Sequence, residues 1–124
     1  MDIVDDVSNT IIKASTNLSR DKYNALKKAI SIEDNENALW ALNQILENYK
    51  VASKTKFPLC DDTGIPHVII EIGQKREITG ELIAQINEGI KEGLNRLPAR
   101  PMAVKGKDIE RIEQSKGFMA ALAK

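Results

Sequence analysis

The sequence predicts an α+β fold, with four or five helices packed on a small β-sheet. Three observations carry this prediction. Apolar residues recur at steps of three and four along most of the chain, the mark of amphipathic helices. One β-branched run, residues 65–72, is bounded by Gly64 and Gly73 and has the composition of a mostly buried strand. The 124 residues, 42% hydrophobic and 29% charged, suffice for one core and are too few for two, so residues 1–124 are expected to form a single domain.

In chain order, Val4, Val7, Ile11, Ala14 and Leu18 fall on one face of a first helix. Ser19 then offers an N-cap for a second, shorter stripe of Tyr23, Leu26 and Ile30. The polar run SIEDNEN offers Asp34 or Asn35 as the cap of a third helix. Ala38, Leu42, Ile45, Tyr49 and Ala52 share one side of it, widened by Leu39 and Leu46, and Pro58 bars its continuation. Trp40 and Phe57 flank these stripes and are expected in the core.

Beyond the strand, QKRE reads as an exposed turn, and Thr79 caps a fourth helix that turns Leu82, Ile83, Ile86, Ile90, Leu94 and Leu97 inward before Pro98. Gly89 and Gly93 have the small-xxx-small spacing that lets helices approach closely, here inside the fold or in a dimer. A short extended piece over 99–104 pairs beside the first strand in this scheme. From Asp108 a weaker helical pattern uses Ile109, Ile112, Met119 and Leu122, interrupted by Gly117. A lone two-stranded sheet leaves unpaired edges, so a homodimer is expected.

Eighteen basic residues balance eighteen acidic ones, which argues against nucleic acid or a membrane surface as partner. Apolar runs such as HVIIEI fall far short of the roughly 18–20 residues of a membrane helix, and MDIVDDVSN lacks the regions of a signal peptide. A cytoplasmic protein is the expectation. The single cysteine excludes an internal disulfide, leaving Cys60 as a small buried hydrophobe or as a thiol kept for reactivity or metal binding.

The chemistry concentrates in PLCDDTGIPHV, residues 58–68, which holds the only cysteine and the only histidine beside two aspartates. Asp-Thr-Gly alone is a weak signal, because a tight turn selects the same residues for geometric reasons. It also marks aspartic proteases, but those are nearly all strand, whereas a long helical region precedes this motif. His67 lies within the apparent strand and reads as a structural histidine rather than a proton shuttle.

The longer pattern Pro58-Leu59-Cys60-Asp61-Asp62-Thr63-Gly64, after the helix NALWALNQILENYKVASKTKF and before a strand ending at Gly73, resembles the N-terminal part of the α chain of the iron–sulfur hydro-lyases, class I fumarate hydratase and L-tartrate dehydratase. That family has Pro-x-Cys-Gln-Asp-Thr-Gly at the loop and an Arg-Pro pair about one strand and one helix later, where this chain has Arg100-Pro101. A strand of about eight residues runs out roughly 26 Å and a helix of about 18 returns roughly 27 Å, so the spacing allows Arg100 to come back to the level of Cys60. The resemblance runs from about residue 2 to Val104, and the tail 105–124 departs from it.

The resemblance implies reversible hydration of a C4 dicarboxylate at a 4Fe-4S cluster held by three cysteines, one iron being open as a Lewis acid. By motif position Cys60 is a cluster ligand, Asp62 a catalytic acid/base group and Arg100 a clamp on a substrate carboxylate, with Asp61, Thr63 and Gly64 shaping the pocket wall. The family's other two cysteine ligands lie further along a longer α chain, and its catalytic base lies in a β chain, so further hydro-lyase chains are the expected partners. Asp61 replaces the family's glutamine and adds a negative charge where a dianion would bind. The alternative is a shortened paralogue that binds a dicarboxylate, or serves assembly, without catalysis.

Overall fold

The computed structural model of the chain describes residues 2–60, 65–98, 103–104 and 111–112. Asp2 opens the first helix, α1 (Ile3–Thr16): its carboxylate accepts the Val4 and Asp5 amides at 3.0 and 3.5 Å. Asp5 and Asp6 in the first turn and Lys13 in the last complement the helix dipole. Ser19 starts α2 (Arg20–Ile32) from the N-cap position without a side-chain cap hydrogen bond. Of the two cap candidates for α3 (Glu36–Thr55), Asn35 holds the position and accepts the Asn37 and Ala38 amides at 3.0 and 3.1 Å. Thr79 caps α4 (Gly80–Arg96) through the Leu82 amide at 3.1 Å, and Leu97 and Pro98 close it.

The core is made by helix on helix. α1 lies against α4, and the seam is closed where α4 has no side chains. A Cβ on Gly89 would stand 2.7 Å from both the Val4 carbonyl oxygen and the Val7 Cβ, and one on Gly93 would stand 2.9 Å from the Ile11 Cβ. The two glycines therefore serve close packing inside the fold, one of the two uses their spacing suggested. Ile86, Ile90 and Leu97 are buried along this seam's helix, with Ser8 and Thr16 fully buried on α1. Thr16 meets its hydrogen-bonding need by donating to the Ile12 carbonyl at 2.8 Å, and Ser8 accepts from Arg96 at 3.0 Å.

α2 and α3 form a second pair, with Tyr23 and Tyr49 meeting at 5.4 Å between ring centroids and 52° between planes. α3 touches α1 near its own C-terminal end, where the Ser53 hydroxyl donates to Asn17 at 2.9 Å and Ala52 is buried. Trp40 and Phe57, expected in the core, are 67% and 58% exposed. Trp40 does not lie on the side of α3 that the neighbouring helices cover, and Phe57 lies beyond the helix end.

The α+β prediction is overturned at residues 65–72. They run as irregular chain, and no backbone hydrogen bond ties them to another described residue. Ile65, Val68, Ile69 and Ile70 are all exposed, Ile69 to 92%. A β-branched composition makes a strand only where a neighbour completes the ladder, and among the described residues none does. The QKRE turn forms as read, closed by the Arg76 amide on the Gly73 carbonyl at 2.9 Å.

Among the described residues the only ladder is a two-residue antiparallel one, β1 (Ala103–Val104) on β2 (Arg111–Ile112), and no helix packs on it. The extended piece expected over 99–104 thus pairs, in its described part, with residues 111–112 rather than with 65–72. The helix expected from Asp108 is likewise corrected at Arg111–Ile112, and the rest of it lies outside the described residues. No helix among the described residues is long and apolar enough to cross a membrane.

Candidate functional site around Cys60

Three features of local sequence build the approach to Cys60. Lys56 ends α3 in the left-handed conformation, φ 63°, its amide still bonded to the Ala52 carbonyl at 2.8 Å. This turns the chain out of the helix axis, and Pro58 keeps it from resuming a helix. Leu59 is then tied on both sides. Its amide donates to the Ser15 carbonyl of α1 at 2.9 Å, and its carbonyl accepts from Asn48 Nδ2 of α3 at 2.7 Å.

Cys60 follows directly as an exposed free thiol. It borders a groove of about 310 Å³ between the loop and the α1–α4 pair, walled by Ile11, Leu94, Pro58 and Ile65, with His67 at its rim. The volume suits a small molecule, pockets for which begin near ~300 Å³. The expectation that Cys60 could be merely a buried small hydrophobe does not hold, because the thiol faces solvent beside this groove. His67 is exposed as well, so it is not a core histidine.

Asp61, Asp62, Thr63, Gly64 and Arg100, the other residues singled out in the sequence, lie outside the described residues. Among the described residues no group of three or more His, Cys, Asp or Glu side chains is gathered as a metal site. Two residues that matter to the loop were not foreseen. Ser15 acts through its backbone and leaves no signal in sequence. Asn48 left a faint one, since asparagine is a poor choice inside a long helix unless its amide has other business.

The family model for fumarate hydratase (Fumerase) matches residues 4–122, nearly the whole sequence. The chain belongs to the Fumerase family. The sequence resemblance carried by the Cys60 loop is thereby borne out at the level of family. Within it, the chain is 38% identical over 107 residues to a protein of Methanocaldococcus jannaschii provisionally named L(+)-tartrate dehydratase subunit alpha. That similarity covers 84% of this chain and 37% of the relative, so this Fumerase-family chain spans little more than a third of the relative's length.

Proposed function

We propose that the chain is a hydro-lyase component that works with additional chains in the reversible hydration of a C4 dicarboxylate. Family membership and the tartrate dehydratase relative support the reaction class. The observation that carries the proposal to a site is the exposed Cys60 thiol beside a groove of small-molecule size, following directly on Leu59, whose backbone is tied to α1 and α3.

In this reading water adds across a carbon–carbon double bond, hydroxyl to one carbon and a proton to the carbon beside a carboxylate. The Asp62 carboxyl handles that proton, and Arg100 pairs with a substrate carboxylate through its planar guanidinium. By motif position, Asp61, Thr63 and Gly64 would shape the pocket wall. Asp61 adds a negative charge there, which a partner's cation would need to offset.

A 4Fe-4S cluster held by three cysteines does not fit this chain alone, which has one cysteine. Cys60, as an accessible thiol, suits the role of one ligand, and two more must come from elsewhere. Further hydro-lyase chains are the proposed partners. The name of the relative, a subunit, supports an assembly of this kind. The exposed apolar run at residues 65–72 is also consistent with surface that such a partner covers.

Asp61, an acid where the family has glutamine, favours a second reading, a paralogue that binds a dicarboxylate or assists assembly without turnover. Assaying fumarate and tartrate conversion by the chain mixed anaerobically with the remaining α and β regions of a Fumerase-family enzyme separates the two. The first reading predicts turnover that Asp62→Asn abolishes while dicarboxylate binding persists. Binding without turnover in the wild-type mixture would favour the second.

A further inference from the structure

We propose that Asn48 is a positioning residue for Cys60, holding the peptide plane from which the thiol is offered to the groove. The proposal rests on the reading of Cys60 as a functional thiol and deepens it. The Leu59 carbonyl and the Cys60 amide share one planar peptide unit, so whatever holds that oxygen also fixes the Cys60 Cα. Asn48 Nδ2 holds it from α3 at 2.7 Å. The preceding peptide plane carries the Leu59 amide, which Ser15 holds from α1 at 2.9 Å.

Two consecutive peptide planes are thus tied to two different helices immediately before Cys60. Only the φ of Cys60 and its side-chain rotation remain to aim the sulfur. The contact spans eleven residues, from the fourth turn of α3 to the loop that follows it, and is not a local helical bond. Helix stability does not account for asparagine here, since alanine favours helix more. Position 48 is also exposed, so core packing does not account for it either. A preorganised ligand loses less freedom when a metal or substrate group binds.

Because Cys60 is the only cysteine, a nitroxide placed on it reports the loop without background. The test records its electron paramagnetic resonance spectrum in the full chain across a pH range, for wild type, Asn48→Ala, Asn48→Asp and Asn48→Gln, with helicity followed by circular dichroism. Asn48→Ala is expected to lose the immobilised component while keeping its helicity. In Asn48→Asp the acid form still donates an O–H to the Leu59 carbonyl and the carboxylate repels it, so the label is expected to loosen as that acid ionises. Asn48→Gln retains a donor and is expected to restore part of the immobilised signal. Wild type recorded over the same pH range is the control for pH effects that do not arise at position 48.

An Asn48→Ala spectrum matching wild type in a folded chain would overturn the proposal. If Asn48→Ala fails to fold, a pH-independent Asn48→Asp spectrum equal to wild type would do so. The label is read without iron or substrate, so a failure of the hydro-lyase reading appears in the turnover assay and leaves this readout unchanged.

Discussion

Gly89 of α4 lies so close to Val7 of α1 that a Cβ added to the glycine would sit 2.7 Å from the Cβ of the valine. The same added carbon would sit 2.7 Å from the Val4 carbonyl oxygen, a backbone atom that cannot swing aside. Gly89→Ala gains about 1 kcal/mol of helix propensity and must then force the helices apart, at about 1–3 kcal/mol for an overpacked seam. The clash with backbone decides the sign, and a net loss of stability is expected. Gly80→Ala is the control, because a Cβ there meets nothing within 4 Å, and it is expected to be neutral or slightly stabilising. Urea unfolding of both variants checks the contrast.

Arg96 ties the end of α4 to α1 by a forked contact, Nη1 to Ser8 Oγ at 3.0 Å and Nη2 to Asn9 Oδ1 at 3.2 Å. Ser8 is fully buried, so removing its donor leaves a polar group without a partner. Arg96→Ala is expected to cost about 1–3 kcal/mol. Arg96→Lys keeps the charge but cannot span both acceptors, and is expected to recover only part of the loss. Glu92, 3.7 Å away on the exposed side, adds little. Thermal denaturation of the two variants ranks them.

Asp21 titrates below the ordinary aspartate range, first because the Ser19 hydroxyl donates to it and then because nearby backbone amides do. A carboxyl whose folded pKa is depressed contributes stability above its unfolded pKa and loses it as pH falls through the folded value. Ser19→Ala is therefore expected to move the Asp21 pKa upward, with a small loss of α2 helicity on acidification that begins at higher pH than in wild type. The side chain is fully solvated, so the effect on global stability is slight. Carbon-detected NMR titration of Asp21 reads the shift directly.

The helices were legible because their signals are local. Asn35 and Thr79 cap through their own amide and hydroxyl oxygens, and Pro58 and Pro98 stop chains for reasons internal to the residue. The spacing of Gly89 and Gly93 pointed to close packing, and the contacts with Val4, Val7 and Ile11 place that packing inside the fold. The strand at 65–72 misled because β-branched composition reports what a segment would bury, while a sheet depends on a neighbour that local sequence cannot supply. Trp40 misled for a similar reason: helical periodicity gives faces, and only packing decides which face is covered. At the site, the motif singled out Cys60 as a candidate, whereas the mooring of its loop was not readable. The bonds from Asn48 and Ser15 to Leu59 join segments 11 and 44 residues apart in sequence, and beyond an asparagine inside a long helix no pattern announces them.

Iron incorporation tests the central claim, that Cys60 is a metal-cluster ligand completed by other chains, most directly. The chain is reconstituted anaerobically with iron and sulfide, alone and with separately prepared Fumerase-family chains carrying the other two cysteines, and iron per chain is measured with the visible spectrum for wild type and Cys60→Ala. The account predicts a cluster in the mixture that is lost with Cys60→Ala, and none in the chain alone. A mixture that stays iron-free, or that loads equally well without the Cys60 thiol, would contradict it.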